Sequence, residues 1–386
     1  LGREVNFGDL SLELFDKLPV RGGDVYLTLD LSLQRVAKEA LKDKTGAVVA
    51  MDPETGAVLA MYSSPSYDLT QLSTRERSSY WARLATDPSR PLYNRAVQGM
   101  YPPASAYKII TATAALEEGL VDRKERIRCH GGLRFGNRVY GCWRTGGHGA
   151  MDIISGLTWS CDVFFYTMGI RLGVDKIAKY AKLFGLGEKT GIELPGEKRG
   201  LVPTKAWKLK ARKAEWNPGE TLSVAIGQGY NLTTPLQMAL VTAEVANRGY
   251  KIRPHLVEKI VGPDEKLLYE WTLKKEKIEE ISTETMDTVR EGMLSVVNSG
   301  TGRRLKALKL DVAGKSGTAQ VVSKKANKGI RAHKAHAWFV GFAPFDNPKI
   351  AVAVLVEHGG GGSSTAGPIV GKIIKEYLNP GGDEGK

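Results

Sequence analysis

The chain has 386 residues, 42% hydrophobic and 25% charged, an ordinary globular composition with ample length to bury a core. Lys and Arg outnumber Asp and Glu by 55 to 42, and the resulting formal charge of +13 points to anionic surroundings without choosing among membrane, polymer and nucleic acid. No run of about 18 apolar residues exists, which excludes a membrane-spanning helix, and an odd count of three cysteines argues against a framework built only of disulfides.

The basic residues are spread along the chain and form no recognisable nucleic-acid module. The sequence begins at Leu1 without an initiator Met or a signal-peptide pattern, so it reads as a piece excised from a longer protein, with any anchor left behind. Residues 1–23 are mixed and polar and read as a linker. Asp24–Asp30 is a short extended run, and Leu31–Leu41 has helical spacing, with Leu33, Val36, Ala37, Ala40 and Leu41 on one side. Gly46–Asp52 and Ala57–Tyr62 flank the turn Pro53-Glu-Thr-Gly56 and predict a hairpin, whose small residues suggest burial on both faces.

Residues 63–98 are polar and loop-like. Two prolines at 102 and 103 then precede Ala104-Ser-Ala-Tyr-Lys108 and an apolar, small-residue helix to Leu116. Residues 121–150 are glycine-rich. Met151–Trp159, Val163–Leu172 and residues 174–185 predict helices, the first two interrupted by Ser160-Cys-Asp162. The basic stretch 196–220, with Trp207 and Trp216, reads as a solvated surface excursion whose tryptophans pack rather than bind glycan. Thr234-Pro235 caps a helix over Leu236–Asn247. Residues 250–281 hold short β-like runs, and Thr283–Val297 is a helix stopped by Asn298-Ser-Gly300.

The C-terminal part returns to strands. Val312–Ser323 is followed by a lysine-rich loop, Lys324–Lys334; Ala337–Phe342 and Ile350–Val356 surround the turn Asp346-Asn-Pro348. Gly359–Gly362 is a flexible loop before a last helix, Ile369–Tyr377. His333 and His336 are read as lying on a mobile surface, and Asn94 and Arg95 as fixing the approach to the Ser105 helix. Strand pairs at both ends of the chain predict one sheet assembled from distant segments, and no internal repeat is present.

Three short motifs carry chemistry. Ser105 and Lys108 stand three apart on one helix face, roughly 5–6 Å apart at Cβ, where a buried lysine can take a serine proton. A helix N-terminus there also offers free N–H groups to an oxyanion. Ser160-Cys-Asp162 lies between two helices, and Lys315-Ser-Gly-Thr318 lies on a strand ahead of a hairpin. Each motif is weak alone. In this order and context they correspond to the S-x-x-K, S-D-N and K-T-G trio of penicillin-binding proteins and related β-lactamases.

On these residues the chain resembles the transpeptidase domains of the elongation-type class B penicillin-binding proteins, the penicillin-binding protein 2 family, over about residues 24–379. The likeness extends to Tyr26–Asp30, Asn94-Arg-Ala96, Gly147-His-Gly149, Gly227-Gln-Gly229 with Thr234-Pro235, and Trp338–Phe342. Asp162, where division-type relatives usually carry asparagine, favours the elongation branch. Ala104 stands where glycine is usual, and Ala106-Tyr107 replaces Thr-Phe. The resemblance implies an α/β (α+β) fold, a five-stranded antiparallel sheet flanked by helices plus an all-helical lobe. Residues 1–23 would then be the remnant of a linker or pedestal region and 380–386 a flexible tail.

The resemblance also implies a peptidoglycan D,D-transpeptidase, active in cell elongation, that works on stem peptides and is acylated by β-lactam antibiotics. Ser105 would be the nucleophile, Lys108 its base, Ser160 a proton relay, Asp162 an orienting group and Lys315 an electrostatic one. Ser316, Gly317 and Thr318 would bind substrate, with the N–H groups of Ser105 and Thr318 as the oxyanion hole. It implies a membrane glycosyltransferase and elongation complex as partners, no nucleic acid, no organic cofactor, and a place at the periplasmic face of the inner membrane. No glutamate stands out to activate a deacylating water. A β-lactamase or D,D-carboxypeptidase and a non-enzymatic β-lactam sensor remain alternatives on the same fold.

All three cysteines fall in one window with a glycine-flanked histidine: Cys129, Cys142, His148 and Cys161, spaced C-x12-C-x5-H-x12-C. A Cys₃His set suits a structural Zn²⁺. The alternatives are a Cys129–Cys142 disulfide with Cys161 free, or His130 as the nitrogen ligand.

Overall fold

A computed structural model describes residues 21–321 and 334–380. The expectations for residues 1–20, for the lysine-rich loop including His333 and for residues 381–386 lie outside the described residues.

The elements in chain order are β1 (Asp24–Leu27), α1 (Leu31–Ala40), β2 (Gly46–Met51), β3 (Val58–Ser64), α2 (Arg77–Thr86) and α3 (Lys108–Glu117). Four short strands follow, β4 (Ile127–Cys129), β5 (Gly132–Phe135), β6 (Arg138–Gly141) and β7 (Gly149–Met151), then α4 (Ile153–Thr158) and α5 (Asp162–Leu183). Next come α6 (Lys205–Arg212), α7 (Pro218–Ala225), α8 (Pro235–Ala246), β8 (Tyr250–Lys251), β9 (Val257–Val261), β10 (Leu267–Glu270) and β11 (Glu276–Lys277). The chain closes with α9 (Thr283–Asn298), β12 (Ala313–Ala319), β13 (His336–Ala343), β14 (Ile350–Val356) and α10 (Gly367–Leu378).

The distant strands do form one antiparallel sheet of five, in the order β12-β13-β14-β2-β3. Its period-2 alternation feeds two cores. Val49, Val340, Phe342, Ala353 and Leu355 face α8 and the helical lobe, while Val48, Phe339, Val352 and Val354 face α1 and α10. β14 reads Ile-Ala-Val-Ala-Val-Leu-Val without polar breaks because both its faces are covered. On the first face, α3, α4, α5, α7 and α9 make the lobe. Gly173, at φ +72°, breaks α5 between the two helices expected there.

Three expectations are corrected. Residues 63–98 are not all loop, because they hold α2; it buries only Leu84, so it carries almost no apolar stripe to read. The stretch 196–220 is largely exposed, as expected, but it is no loop: it holds α6 and the start of α7. One of its cations, Lys208, is buried against Glu220 at 2.7 Å, and Trp207 and Trp216 both pack on Tyr230, in keeping with the packing expected of them. His336 is not on a mobile surface either: it sits on β13 against the Tyr101 ring, and its Nδ1 accepts the His358 N–H at 3.0 Å.

Two carboxylates, one half-buried and one fully buried, stand out in this frame. Glu357, at the end of β14, accepts from Arg95 Nε at 2.9 Å and from Tyr101 Oη at 2.6 Å, and Trp338 Nε1 donates to the Pro102 carbonyl at 3.0 Å. The approach to Ser105 is thereby tied to the sheet, in keeping with the reading of Arg95. Glu244 in α8 is buried with Oε2 unpartnered among the described residues, and burial pushes its carboxyl up to about 8.

Glu357→Ala strands the buried Arg95 guanidinium and is expected to cost about 3–5 kcal/mol, read as a fall in the thermal unfolding midpoint. The folded chain keeps a proton on Glu244 that the unfolded chain releases near 4.5, so this group's contribution to stability falls as pH rises from about 4.5 to about 8 and is level above that. Glu244→Gln is expected to remove that component, on the order of a few kcal/mol, so that its midpoint exceeds that of the unsubstituted protein at pH 9 but not at pH 4.5.

Candidate active site

Ser105 lies in a 3₁₀ turn, Ala104–Tyr107, that runs directly into α3, so the helix begins at Lys108 rather than at the serine. Ala104 takes φ +49°, a left-handed conformation that favours glycine. The turn is held from below by the Gly227-Gln-Gly229 loop: Ala104 N–H donates to the Gly227 carbonyl at 2.9 Å. A Cβ on Gly227 would lie 2.2 Å from the Ala104 oxygen, so only glycine allows this approach.

Lys108 has no solvent exposure, because α3 is enclosed on every side. Its Nζ donates to the Ser160 carbonyl at 2.9 Å, to Ser160 Oγ at 3.2 Å and to Asp162 Oδ1 at 2.6 Å, three acceptors for the three N–H bonds of an ammonium. Ser160 is itself left-handed at φ +52°, which aims both of its oxygens at the lysine. Asp162 opens α5, and its other oxygen accepts the Trp143 backbone N–H at 3.0 Å.

The opposite wall is β12, which among the described residues is one of the two edge strands of the sheet. Lys315 is fully buried and donates to its neighbour's carbonyl, Ser316 O, at 3.2 Å. Burial, and then the Lys108 charge, hold its ammonium well below the usual lysine range. The repulsion between the two lysines thus registers on Lys315. Ser316 Oγ pairs with Thr301 Oγ1 at 3.0 Å, and Thr318 Oγ1 accepts the Gly362 N–H at 3.3 Å. Between the walls is a cleft of about 570 Å³, lined by Ser105, Ser160, Asp162, Ser316 and Thr318.

All eight residues expected for catalysis and substrate binding therefore gather at this cleft; Lys108 and Lys315 stand behind its surface, and Gly317 packs against Pro103 and Ala106. Sequence reading missed Trp143, Thr301 and the aromatic wall of Tyr140 and Tyr166, and singled out Gln228 only as part of the likeness, without a role; all of these border the cleft. Trp143 follows an expected ligand, but its contribution is a backbone N–H, which no residue type signals.

Cys129, Cys142, His148 and Cys161 also converge, with their ligand atoms all within 4.8 Å of one another, and the three cysteines are free. His148 Nδ1 lies 3.7 Å from Cys129 Sγ and 3.5 Å from Cys142 Sγ. A tetrahedron with Zn–S near 2.3 Å and Zn–N near 2.0–2.1 Å has S···N edges of about 3.6 Å, so the donor set fits that ion. A hydrogen bond between Cys161 and Cys142 holds the Cys142 thiol down and pushes Cys161 up, so the thiolate character of this pair lies on Cys142. Gly147 is required here, since a Cβ would sit 2.3 Å from the Cys129 carbonyl. His130 is exposed and outside the cluster.

Residues 46–375 match the penicillin binding protein transpeptidase domain family. The peptidoglycan D,D-transpeptidase MrdA of Acinetobacter baumannii is 39% identical over 367 residues, covering 91% of this chain and 53% of that relative. The chain spans little more than half the length of the curated relatives it matches. The structure of Pseudomonas aeruginosa penicillin-binding protein 2 in complex with WCK 5153 superposes with a TM-score of 0.82 at 40% identity, covering 94% of this chain and 77% of that one. Penicillin-binding protein A of M. tuberculosis, solved as a penicillin G acyl-enzyme complex, gives 0.80 at 29% identity, covering 93% and 81%. With the three motifs gathered at one cleft on the five-stranded sheet, the chain belongs to the penicillin-binding protein transpeptidase family, on its penicillin-binding protein 2 branch.

Proposed function

We propose that this chain is the catalytic domain, residues 24–379, of a serine-type peptidoglycan D,D-transpeptidase, with residues 1–23 belonging to a preceding linker and 380–386 to a tail. The observation that carries the reading is Lys108: a lysine without solvent, one turn from Ser105, clamped by Ser160 and Asp162 at the floor of a cleft whose far wall is an edge strand.

In the reaction, Ser105 Oγ attacks the penultimate D-alanyl carbonyl of a donor stem peptide. Lys108, in its amine form and oriented by Asp162 at 2.6 Å, accepts the Ser105 proton. The N–H groups of Ser105 and Thr318 receive the oxyanion. Ser160 Oγ, within reach of Lys108 Nζ, relays the proton to the departing D-alanine amine. The hydroxyls of Ser316 and Thr318, on the strand backed by Lys315, hold the terminal carboxylate. An amine from a second stem then takes the acyl group from Ser105. A β-lactam enters as a donor mimic.

The four ligands of the Cys/His cluster would hold one Zn²⁺, which supplies bracing and no reaction step. Cys161 stands between Ser160 and Asp162, and Cys142 immediately precedes Trp143, whose N–H holds Asp162. Among the described residues no helix is long and apolar enough to cross a membrane. The family implies work at the periplasmic face of the inner membrane beside a glycosyltransferase of the elongation complex. The net charge of +13 suits an anionic lipid and polymer setting.

Incubation with benzylpenicillin is expected to add one drug mass per chain, stable over hours by intact-mass spectrometry and absent from Ser105→Ala; rapid loss of the adduct with drug hydrolysis would instead indicate a β-lactamase. Lys108→Ala is expected to slow acylation about 10²- to 10⁴-fold, the usual span for a general base, with the fold retained by circular dichroism. Elemental analysis of chain purified without chelator is expected to find one zinc per chain. Finding none, together with a mapped Cys129–Cys142 bond, would dismiss the metal, and Cys142→Ser is expected to lower both zinc content and the unfolding midpoint.

A further inference from the structure

The outer edge of β12 presents a row of backbone groups to the cleft, and its carbonyls there are already engaged. Lys315 Nζ donates to Ser316 O at 3.2 Å. Gln228 Nε2 donates to Thr318 O at 3.3 Å, across from the lobe side. A carbonyl only accepts, so it is the NH₂ end of the Gln228 amide that faces Thr318. Gln228 sits between Gly227 and Gly229, both left-handed at φ +70° and +67°, in the loop that also supports the Ser105 turn. Its side chain lines the same cleft as Ser105 and Thr318.

In an extended strand the N–H and C=O of one residue point to the same side, so Thr318 N–H faces the lobe with its carbonyl. A donor residue whose carbonyl oxygen accepts from Thr318 N–H presents its own N–H to Thr318 O. The two would then exchange both hydrogen bonds, as an antiparallel pair does. That slot is the one Gln228 occupies. We infer that Gln228 is a latch on the donor groove: its amide caps Thr318 O in the free enzyme and yields it to the backbone N–H of an extended peptide that adds to the edge of β12. The inference rests on the acyl-transfer reading above. Gln228 is a positioning and specificity residue in this scheme, since it moves no proton and contacts no reacting atom.

The latch also serves the free protein. An uncapped edge strand invites pairing with another chain, and a side-chain amide that mimics a strand partner closes it. Gln34 does the same at the opposite edge, donating to Met61 O at 2.7 Å and accepting from Met61 N–H at 2.9 Å. The difference lies in the footing. Gln34 stands on α1 and meets both backbone groups of Met61, whereas Gln228 makes one longer bond from a two-glycine loop.

The test compares acylation rate constants for benzylpenicillin, whose side-chain amide N–H sits on the carbon next to the reacting carbonyl, and imipenem, whose hydroxyethyl group at that place carries no amide. Gln228→Ala and the similar-sized Gln228→Met are each expected to raise the benzylpenicillin-to-imipenem ratio about three- to five-fold, the size of one released hydrogen bond, with the unfolding midpoint unchanged. A merely structural role would change both rates together and leave the ratio fixed, which would overturn the latch. A fall in the ratio would overturn it too, and would make Gln228 a direct holder of the amide. If neither drug acylates the unsubstituted chain, the acyl-transfer reading itself fails, and the latch with it.

Discussion

The contact on which the site depends is the buried pairing of Lys108 with the Ser160–Asp162 loop. A lysine ammonium taken out of water costs several kcal/mol unless every N–H finds an acceptor. Here all three acceptors come from one three-residue segment, two of them from Ser160. That economy demands an unusual backbone. Ser160 must be left-handed, Asp162 must begin α5, and something outside must keep the aspartate from turning away. Trp143 supplies the last element with its N–H, and the Cys142–His148 segment carries it into place. The thiol cluster and the serine–lysine pair are therefore parts of one arrangement. Cys161 is flanked on both sides by groups that touch Lys108.

The sheet supplies the other half. Its first edge strand, β12, is stiffened by a full seven-residue register with β13, yet leaves its outer side toward the lobe. A backbone edge is a good template for an extended peptide and a liability when nothing is bound. Lys315 and Gln228 each occupy one of its carbonyls. Lys315 is buried so completely that its charge is unfavourable, and the neighbouring Lys108 adds to that. Two lysines in one low-dielectric site cannot both be comfortable cations, and such tension is common where proton transfer is the task.

Sequence alone determined the sheet segments and the principal helices, and singled out the serine and lysine motifs that the fold gathers at one cleft. Runs such as Ile350–Val356 can be buried only between two layers, and the order of the three motifs around them leaves few ways to bring Ser105, Ser160 and Lys315 together. Three cysteines and a histidine within 33 residues signalled a cluster, because residue type decides what can bind a soft cation.

Tertiary structure decided what residue type does not encode. Helix α2 has no apolar stripe, so periodicity was silent there. Lys208 looked like one more surface cation until Glu220 was brought to it, and His336 looked mobile until Tyr101 covered it. His148 rather than His130 joined the cysteines because only that backbone turns inward, past a glycine with no room for a Cβ. Trp143 N–H, Thr301 and Gln228 act through a backbone group or through contacts with residues far along the chain. The chain by itself supplied the motif side chains. The fold chose which atoms hold them, because hydrogen-bond partners are settled by distance and direction in space rather than by sequence spacing.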